Sequence, residues 1–516
     1  MSVSRRRVCG GLAASVFAAP FIGRAWGQGA VRFDSNPFSL GVASGDPDAT
    51  SVVLWTRLAP KPLESDSGMP SSTIAVDWEV AEDDKFQRIV KKGRAEAKPD
   101  EGHSLHVVAE GLAPNRHHWY RFMTAGAESR IGRTRTLPAA GTSPDRYRLA
   151  VAGCQRIEQG HFTAWGDIAR SDIDLVFFYG DYIYEATIPA EAARERLGMD
   201  VSSSVRDRLS TLRDYRTRYA LYKLDAELAA AHAAHPFVTT FDDHEVVNAW
   251  GGAYLPGKLS PSDLRNLRTI GFQAFYENSP VRPALKPRGP DITAYRSFDV
   301  GSLLRLAVLD TRQYRSTPGC GAPETAPCAQ RTEPGRTMIG AEQERWLLDQ
   351  FGRGNATWTV LGNQVMMMQR LFKSGKEGIV HNDKWDGFAA SRQRILQGAV
   401  DRKVSGLIVA TGDYHRAFAG NLKVNFDQSS SPVVGVELLG PAISSAAPGA
   451  DLPIKGVQAA NPHIRFIDSR RGYLSCDFGR ARCNASFRAV DSVEKRGGNV
   501  STVKSYDIDP KSPSLS

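Results

Sequence analysis

Three short apolar runs, far apart in the chain, each stop on an acidic group. Asp174 to Tyr179 is aromatic and β-branched and ends in Gly180-Asp181. Pro236 to Phe241 leads into Asp242-Asp243-His244-Glu245, and Gly406 to Thr411 leads into Gly412-Asp413-Tyr414-His415. Runs of this length and composition, closed by glycine and polar residues, predict buried strands. Open α/β sheets place their ligands at the C-terminal tips of such strands. A single Asp-His at a strand end is most often a cap or turn. Repeated at three remote tips, the pattern predicts that carboxylates and imidazoles meet around metal ions.

The remainder of the chain divides around these tips. Residues 1–27 read as a targeting segment: Ser4-Arg5-Arg6-Arg7, a moderately apolar stretch from Val8 to Gly23, then the small-x-small site Ala25-Trp26-Gly27. Consecutive arginines ahead of such a stretch resemble a twin-arginine export signal. Residues 32–138 hold short strands separated by Gly, Pro and Asp turns, among them Ser51 to Arg57, Ile74 to Val80 and His117 to Phe122. With Gly111-Leu-Ala-Pro-Asn115 they predict a fibronectin- or Ig-like β-sandwich. Residues 145–496 alternate strands with helices, the signature of a layered α/β unit. Within it, Leu212, Tyr215, Tyr219 and Tyr222 recur at helical spacing as a buried stripe, with the arginines between them on a wet face. Residues 497–516, rich in Ser, Lys and Pro, read as a loosely held tail.

Charge and cysteine usage narrow the class of protein. The formal net charge is +9, but the first 27 residues carry four arginines and no acid, so without them it is +5. That excess is mild for the length and excludes nothing but a strongly basic nucleic-acid binder. No later run reaches the roughly 18 apolar residues of a membrane span. A periplasmic or secreted product is expected. Cysteine usage suits an oxidising compartment. Cys320 and Cys328 flank a Gly/Pro-rich loop, Cys476 and Cys483 flank a hairpin tip, and each pair reads as a local disulfide. Cys154, which follows the apolar run Leu149 to Gly153, is then left over. Its thiolate could join the metal cluster, or it could be an inert buried thiol.

Several chemistries lack their usual supports. There is no Gly-x-x-x-x-Gly-Lys-Ser/Thr phosphate cradle, no Gly-x-Gly-x-x-Gly after a strand, no Gly-x-Ser-x-Gly elbow and no His-Glu-x-x-His. Paired metal ions remain, and they suit phosphoester cleavage. A carboxylate such as Asp181 can bridge two cations that polarise a phosphoryl oxygen and acidify a water. His244 is placed to protonate the leaving oxygen. Arg312, Asn363 and Asp386, on loops after strand ends, are candidate substrate contacts facing the cleft. Arg312 reads equally well as a clamp on a neighbouring carboxylate.

Cys154-Gln155, Gly180-Asp-Tyr-Ile-Tyr-Glu185, Asp242-Asp-His-Glu245, Leu309-Asp-Thr-Arg-Gln-Tyr-Arg315, Lys384-Trp-Asp-Gly-Phe388 and Gly412-Asp-Tyr-His415 together resemble the ordered motif set of the PhoD-like alkaline phosphatases and phosphodiesterases, a branch of the calcineurin-like metallophosphoesterases. The resemblance covers nearly all of the chain after residue 27. It implies a metallophosphoesterase-type α/β sandwich behind the N-terminal β-sandwich, and an exported alkaline phosphatase with ferric iron and one or two calcium ions. Carried over residue by residue, it implies Cys154, Asp181, Tyr184 and His415 around iron, Asp181 as the bridge, and Asp243 and Asp413 on the calcium side. Thiolate and phenolate suit ferric iron, and carboxylate oxygens suit calcium. The expected activity is hydrolysis of phosphate mono- or diesters by attack of metal-bound hydroxide at phosphorus. A mainly diester-cleaving, phospholipase D-like enzyme and a non-catalytic binder of envelope polymers are the alternatives.

Overall fold

A computed structural model describes residues 32–198, 200–321, 324–372, 378–447 and 454–516 of the chain. The twin-arginine stretch lies outside the described residues. Two sheets face each other. One has nine strands, and its middle is the parallel set Arg146–Ala152, Leu175–Phe178, Pro236–Thr239 and Val42–Gly45. The other has seven strands, with Leu304–Val308, Trp358–Gly362, Leu407–Thr411 and Val433–Leu439 parallel at its centre.

Side-chain alternation in these strands builds four layers. Successive residues of a strand point to opposite faces. Leu149, Val151, Leu175 and Phe177 therefore meet Leu304, Leu306, Val360 and Ile408 in the core between the sheets. Ala150, Ala152, Val176 and Phe178 point the other way, onto the helices Thr163–Arg170, Leu212–Lys223 and Ala226–Ala234. Ala307, Leu361 and Val409 likewise face the helices Gly340–Gly352 and Ala389–Asp401. Both faces of each central strand are buried, so the runs read as continuously apolar. Met366, Met367 and Met368 belong to this core.

The N-terminal β-unit is not detached from this body. The strands Ile89–Ala97, Ile74–Ala81 and His117–Thr124 form one sheet, packed through Val76, Val80, Tyr120 and Phe122 onto Val52, Leu54, Leu105 and Val107. Those last residues lie on Ser51–Arg57 and Ser104–Glu110, which form the outer edge of the nine-stranded sheet. The inner leaf of the β-sandwich is thus an extension of the α/β sheet.

Three expectations are corrected. The segment after residue 496 is not a loose tail: Val500–Ile508 pairs along Cys483–Val490 as the last strand of the nine-stranded sheet. Ile508 and Leu515 are buried in the core, and the Leu515 N–H donates to Asn421 at 2.7 Å. Its alternating polar residues belong to an edge strand with one wet face. Cys320 and Cys328 are joined, but Cys476 and Cys483 are free and buried. The hairpin register sets Cys476 opposite Ala485 and Cys483 opposite Phe478. The two cysteines are diagonal neighbours, about 7–8 Å apart in such a ladder, which is more than a disulfide spans between Cα atoms. Arg218, assigned to a wet helix face, is fully buried and donates to the carbonyls of Tyr184, Ala186 and Asp207. Tyr215, Tyr219 and Tyr222 are buried as expected. No helix among the described residues is long and apolar enough to cross a membrane.

Candidate metal centre and active site

Parallel strands from both sheets end around one cavity of about 380 Å³, lined among others by Asp181, Asp243, His244, Asp413 and His415. Backbone geometry at the tips is unusual. Cys154, Asp181, Asp413 and His415 all lie in the left-handed region, with φ of 52°, 59°, 67° and 56°. A non-glycine residue pays of order 1–2 kcal/mol for that conformation, and here four of them surround one point. Close packing holds the strain in place. At Gly180, with φ of +128°, an added Cβ would lie 2.5 Å from the Asp242 nitrogen. At Gly412 it would lie 2.0 Å from the ring of Tyr179. Adjacent tips are also stapled by Cys154 N–H to the Gly180 carbonyl at 3.1 Å and Gln155 N–H to the Asp181 carbonyl at 3.2 Å.

Asp181 sits at the centre. Its Oδ2 accepts from the Tyr184 hydroxyl at 2.9 Å and from the Cys154 thiol at 3.4 Å, and lies 3.9 Å from His415 Nε2. Its Oδ1 is buried with no hydrogen-bond partner among the described residues. Donor atoms of Cys154, Asp181 and His415 lie within 4.8 Å of one another, and so do those of Asp181, Asp243 and His244. The His415 Nδ1–H donates to the Ala446 carbonyl at 2.7 Å, which leaves Nε2 unprotonated toward Asp181 in the neutral ring. Asp243 accepts from the Ala249 N–H at 2.7 Å. Asp413 is ion-paired with Lys384, which also lines the cavity.

The electrostatics of this cluster call for a cation. Burial raises the Cys154 thiol well above its ordinary pKa, and Asp181 raises it further. Burial and Asp181 do the same to the Tyr184 phenol. Burial also lifts the Asp243 carboxyl, against the pull of Arg312 and His244. Asp181 is pushed up by burial, but His244, His415 and the Tyr184 hydroxyl outweigh that and hold it below the usual carboxylate range. His244 loses basicity to burial, yet Asp243, Asp181 and Glu185 together raise it to about 10. Its Nδ1 is hydrogen-bonded to Glu185 Oε2 at 2.7 Å. A thiol and a phenol this resistant to ionisation would give up their protons here only beside added positive charge.

Of the residues expected to touch substrate, none lines the cavity. Arg312 is fully buried behind it: Nε donates to Asp242 at 2.5 Å and Nη1 lies 3.2 Å from Asp383. Its Nη2 stands 3.6 Å from Asp243 and 3.7 Å from Asp413 without a hydrogen bond. It is the carboxylate clamp rather than a cleft residue. Asn363 is turned inward, donating to the Val365 carbonyl at 2.6 Å. Asp386 accepts from Arg370 N–H and Arg392 at 2.8 and 2.7 Å. Both were expected to face the cleft and instead fasten loops beneath it. The cleft residues on that side are His381, Asp383 and Lys384, just ahead of Asp386. Asn248 and Tyr254 also line the cavity and went unread, because their loop has no strand-tip pattern.

A family model described as "PhoD-like phosphatase" matches residues 149–487, and one described as "PhoD-like phosphatase, N-terminal domain" matches residues 24–138. The chain belongs to the PhoD-like phosphatase family. It is 40% identical over 498 residues to alkaline phosphatase D of Bacillus subtilis (strain 168), covering 96% of this chain and 85% of that protein. A solved structure titled "Structure of PhoD" superposes with a TM-score of 0.89 at 40% identity, covering 93% of this chain and 92% of that one. As a PhoD-like phosphatase this chain is a phosphoric ester hydrolase of a metal-dependent family, and its substrate is a phosphate ester. The donor set of the cavity fits such a metal requirement: a partnerless carboxylate oxygen, a thiol and phenol that resist ionisation, and an imidazole nitrogen with its partner nitrogen already engaged.

Proposed function

We propose that this enzyme hydrolyses phosphate mono- and diesters outside the cytoplasm, after export on its twin-arginine segment, with ferric iron and calcium in the cavity. Cys154, Asp181, Tyr184 and His415 would hold the iron, Asp181 would bridge, and Asp243 and Asp413 would serve calcium. The observation that carries the reading is Asp181 Oδ1, buried and partnerless between two donor groups that share this residue. When bound, the ions would supply Lewis acidity at the phosphoryl oxygen and an acidified water for attack at phosphorus.

The chain's own groups supply the rest. His244 holds a proton on Nε2 when charged, and Glu185 fixes its ring through Nδ1, so the proton is aimed for delivery to the leaving oxygen. Lys384 offers a cation at the cavity wall for a non-bridging phosphate oxygen. Arg312 positions Asp242, Asp243 and Asp413 from behind and touches no substrate.

The test is elemental analysis and an absorption spectrum of the natively exported protein, together with hydrolysis of 4-nitrophenyl phosphate. Iron, calcium, a visible phenolate or thiolate charge-transfer band, and activity lost to chelator and restored by calcium are expected. A colourless protein carrying two zinc or two manganese ions would overturn the ion assignment. Absence of hydrolysis would overturn the site.

A further inference from the structure

A second depression opens beside the catalytic cavity and shares two of its walls, His244 and Asn248. Its character is opposite. The cavity is lined by Asp181, Asp243, Asp383 and Asp413, whereas the neighbouring groove is lined by Arg156, Arg208 and Lys258, with Glu185 as its one acid. The three cations come from three separate segments: the loop after the Arg146–Ala152 strand, the turn before the Leu212–Lys223 helix, and the loop before the Pro261–Asn278 helix.

The one acid is largely occupied elsewhere. Glu185 accepts from His244 Nδ1 at 2.7 Å and from the Asn248 N–H at 3.1 Å, and Arg208 reaches it only at 3.5 Å. Arg156 lies over the Tyr184 ring at 5.2 Å and is paired with Glu158 at 2.5 Å, which fixes its position at the groove mouth. Lys258 has no ion-pair partner among the described residues, and Arg208 is 61% exposed. The groove therefore holds an ammonium with no ion pair among the described residues, and a largely exposed guanidinium held only at 3.5 Å by Glu185, next to the residue placed to serve the leaving group. Such donors suit phosphate oxygens.

We propose that this groove binds a second phosphate group on the leaving-group side of the substrate, so that the enzyme favours esters carrying a further phosphate beyond the one cleaved. The proposal rests on the cavity being the phosphoester site. The groove selects substrates and leaves the chemistry at phosphorus unaltered, since its cations lie beyond His244.

The experiment compares KM of the metal-loaded enzyme for n-alkyl phosphates and for α,ω-alkanediol bisphosphates with spacers of two to six carbons, following release of inorganic phosphate. A KM about tenfold lower is expected for the bisphosphate at the matching spacer length, as one or two charge-assisted contacts would give. That advantage should shrink as salt is raised. In Arg208→Ala/Lys258→Ala the ratio of the two KM values should collapse toward one, while Arg208→Lys and Lys258→Arg keep most of it. Lys258→Ala alone, on an exposed loop, serves if the double variant folds poorly. Equal KM for both substrate series at every spacer length, or a ratio that survives the double variant, overturns the proposal while 4-nitrophenyl phosphate is still hydrolysed. Loss of that basal hydrolysis in the wild type would instead bring down the cavity reading, and this proposal with it.

Discussion

Two sets of carboxylates gather at the same strand ends, and they behave differently. Asp181, Asp243 and Asp413 line the cavity, where they face one another. Glu245, Asp310 and Glu437 lie beneath it, and their oxygens end on protein N–H groups. Glu245 accepts from the Tyr182 and Asp242 nitrogens at 2.6 and 2.9 Å. Asp310 accepts from the Arg312 and Gln313 nitrogens at 2.9 and 3.0 Å. Glu437 accepts from the Met367 and Met368 nitrogens at 2.7 and 2.5 Å. Burial raises all three of these lower acids above their ordinary pKa, Glu245 to about 8 and Glu437 to about 7. Desolvation is thus common to both sets, and what separates them is whether the oxygens are already claimed. The lower set shapes the loops, and the upper set is left with open valence.

Substitution should break the symmetry between the sets. Asp181→Asn removes the shared anion and is expected to lower kcat by about three powers of ten, the equivalent of the several kcal/mol that such a centre supplies. Its melting temperature after chelation should stay within a few degrees of wild type, since the amide keeps the shape of the acid. Unfolding of the variant, with no loss specific to activity, would place Asp181 in the lower set. Arg312→Met should act the other way round. It strands Asp242 in the interior, while Asp383 keeps Arg315 and Lys384, so a loss of about 3–5 kcal/mol in denaturant unfolding is expected, with a fall in activity beside it because Asp243 and Asp413 lose the cation behind them.

The next effect is smaller and graded. His244→Asn should reduce hydrolysis of alkyl phosphates about a hundredfold and of 4-nitrophenyl phosphate far less, because a good leaving group needs no proton. Glu185→Gln should reproduce part of that pattern, about tenfold, since it orients the ring without meeting substrate. Equal losses on both esters would show that His244 serves as a ligand, as its distance to Asp181 and Asp243 also allows.

The upper set was legible in the sequence because each member closes an apolar run: Phe178 then Asp181, Thr239 then Asp243, Thr411 then Asp413. The layered sheets follow from the same runs. The lower set was less legible. Asp242 and Asp243 are neighbours with opposite fates, and only the turn after the strand decides which one faces the cavity. Asp386 and Asn363 satisfy the same local rule as the true cleft residues, yet packing against Arg392 and Trp385 turns them inward. The left-handed φ of Cys154 opposes residue preference, and those of Asp181, Asp413 and His415, though these residue types visit that region more than most, are set by the packing at the tips and could not be inferred from the sequence. Sequence reasoning also overvalued proximity at Cys476 and Cys483, where register decides, and undervalued the alternation in residues 500–508 because serine and lysine occupy its wet face.

The smallest expected effect tests the lower set through pH. The folded-state pKa of Glu437 lies near 7, above the ordinary 4.5, chiefly because the carboxyl is buried, on the face of its strand that meets the loop of Met367 and Met368. The folded protein therefore binds this proton more tightly than the unfolded chain does. Stability from this group is fully present below about pH 4.5 and is lost as pH rises through about 7, where the folded state must ionise the acid as well. Replacing Glu437 with Gln removes the titration, so the melting temperature of the variant minus that of wild type should climb by a few degrees between pH 5 and pH 8. The two-residue spacing of Asp413 from Thr411, which donates to Glu437 at 2.8 Å, makes the sign informative. A difference that falls with pH would mean that Glu437 is held ionised, as an acid of the upper set would be, and that the cation it answers to lies on its side of the sheet.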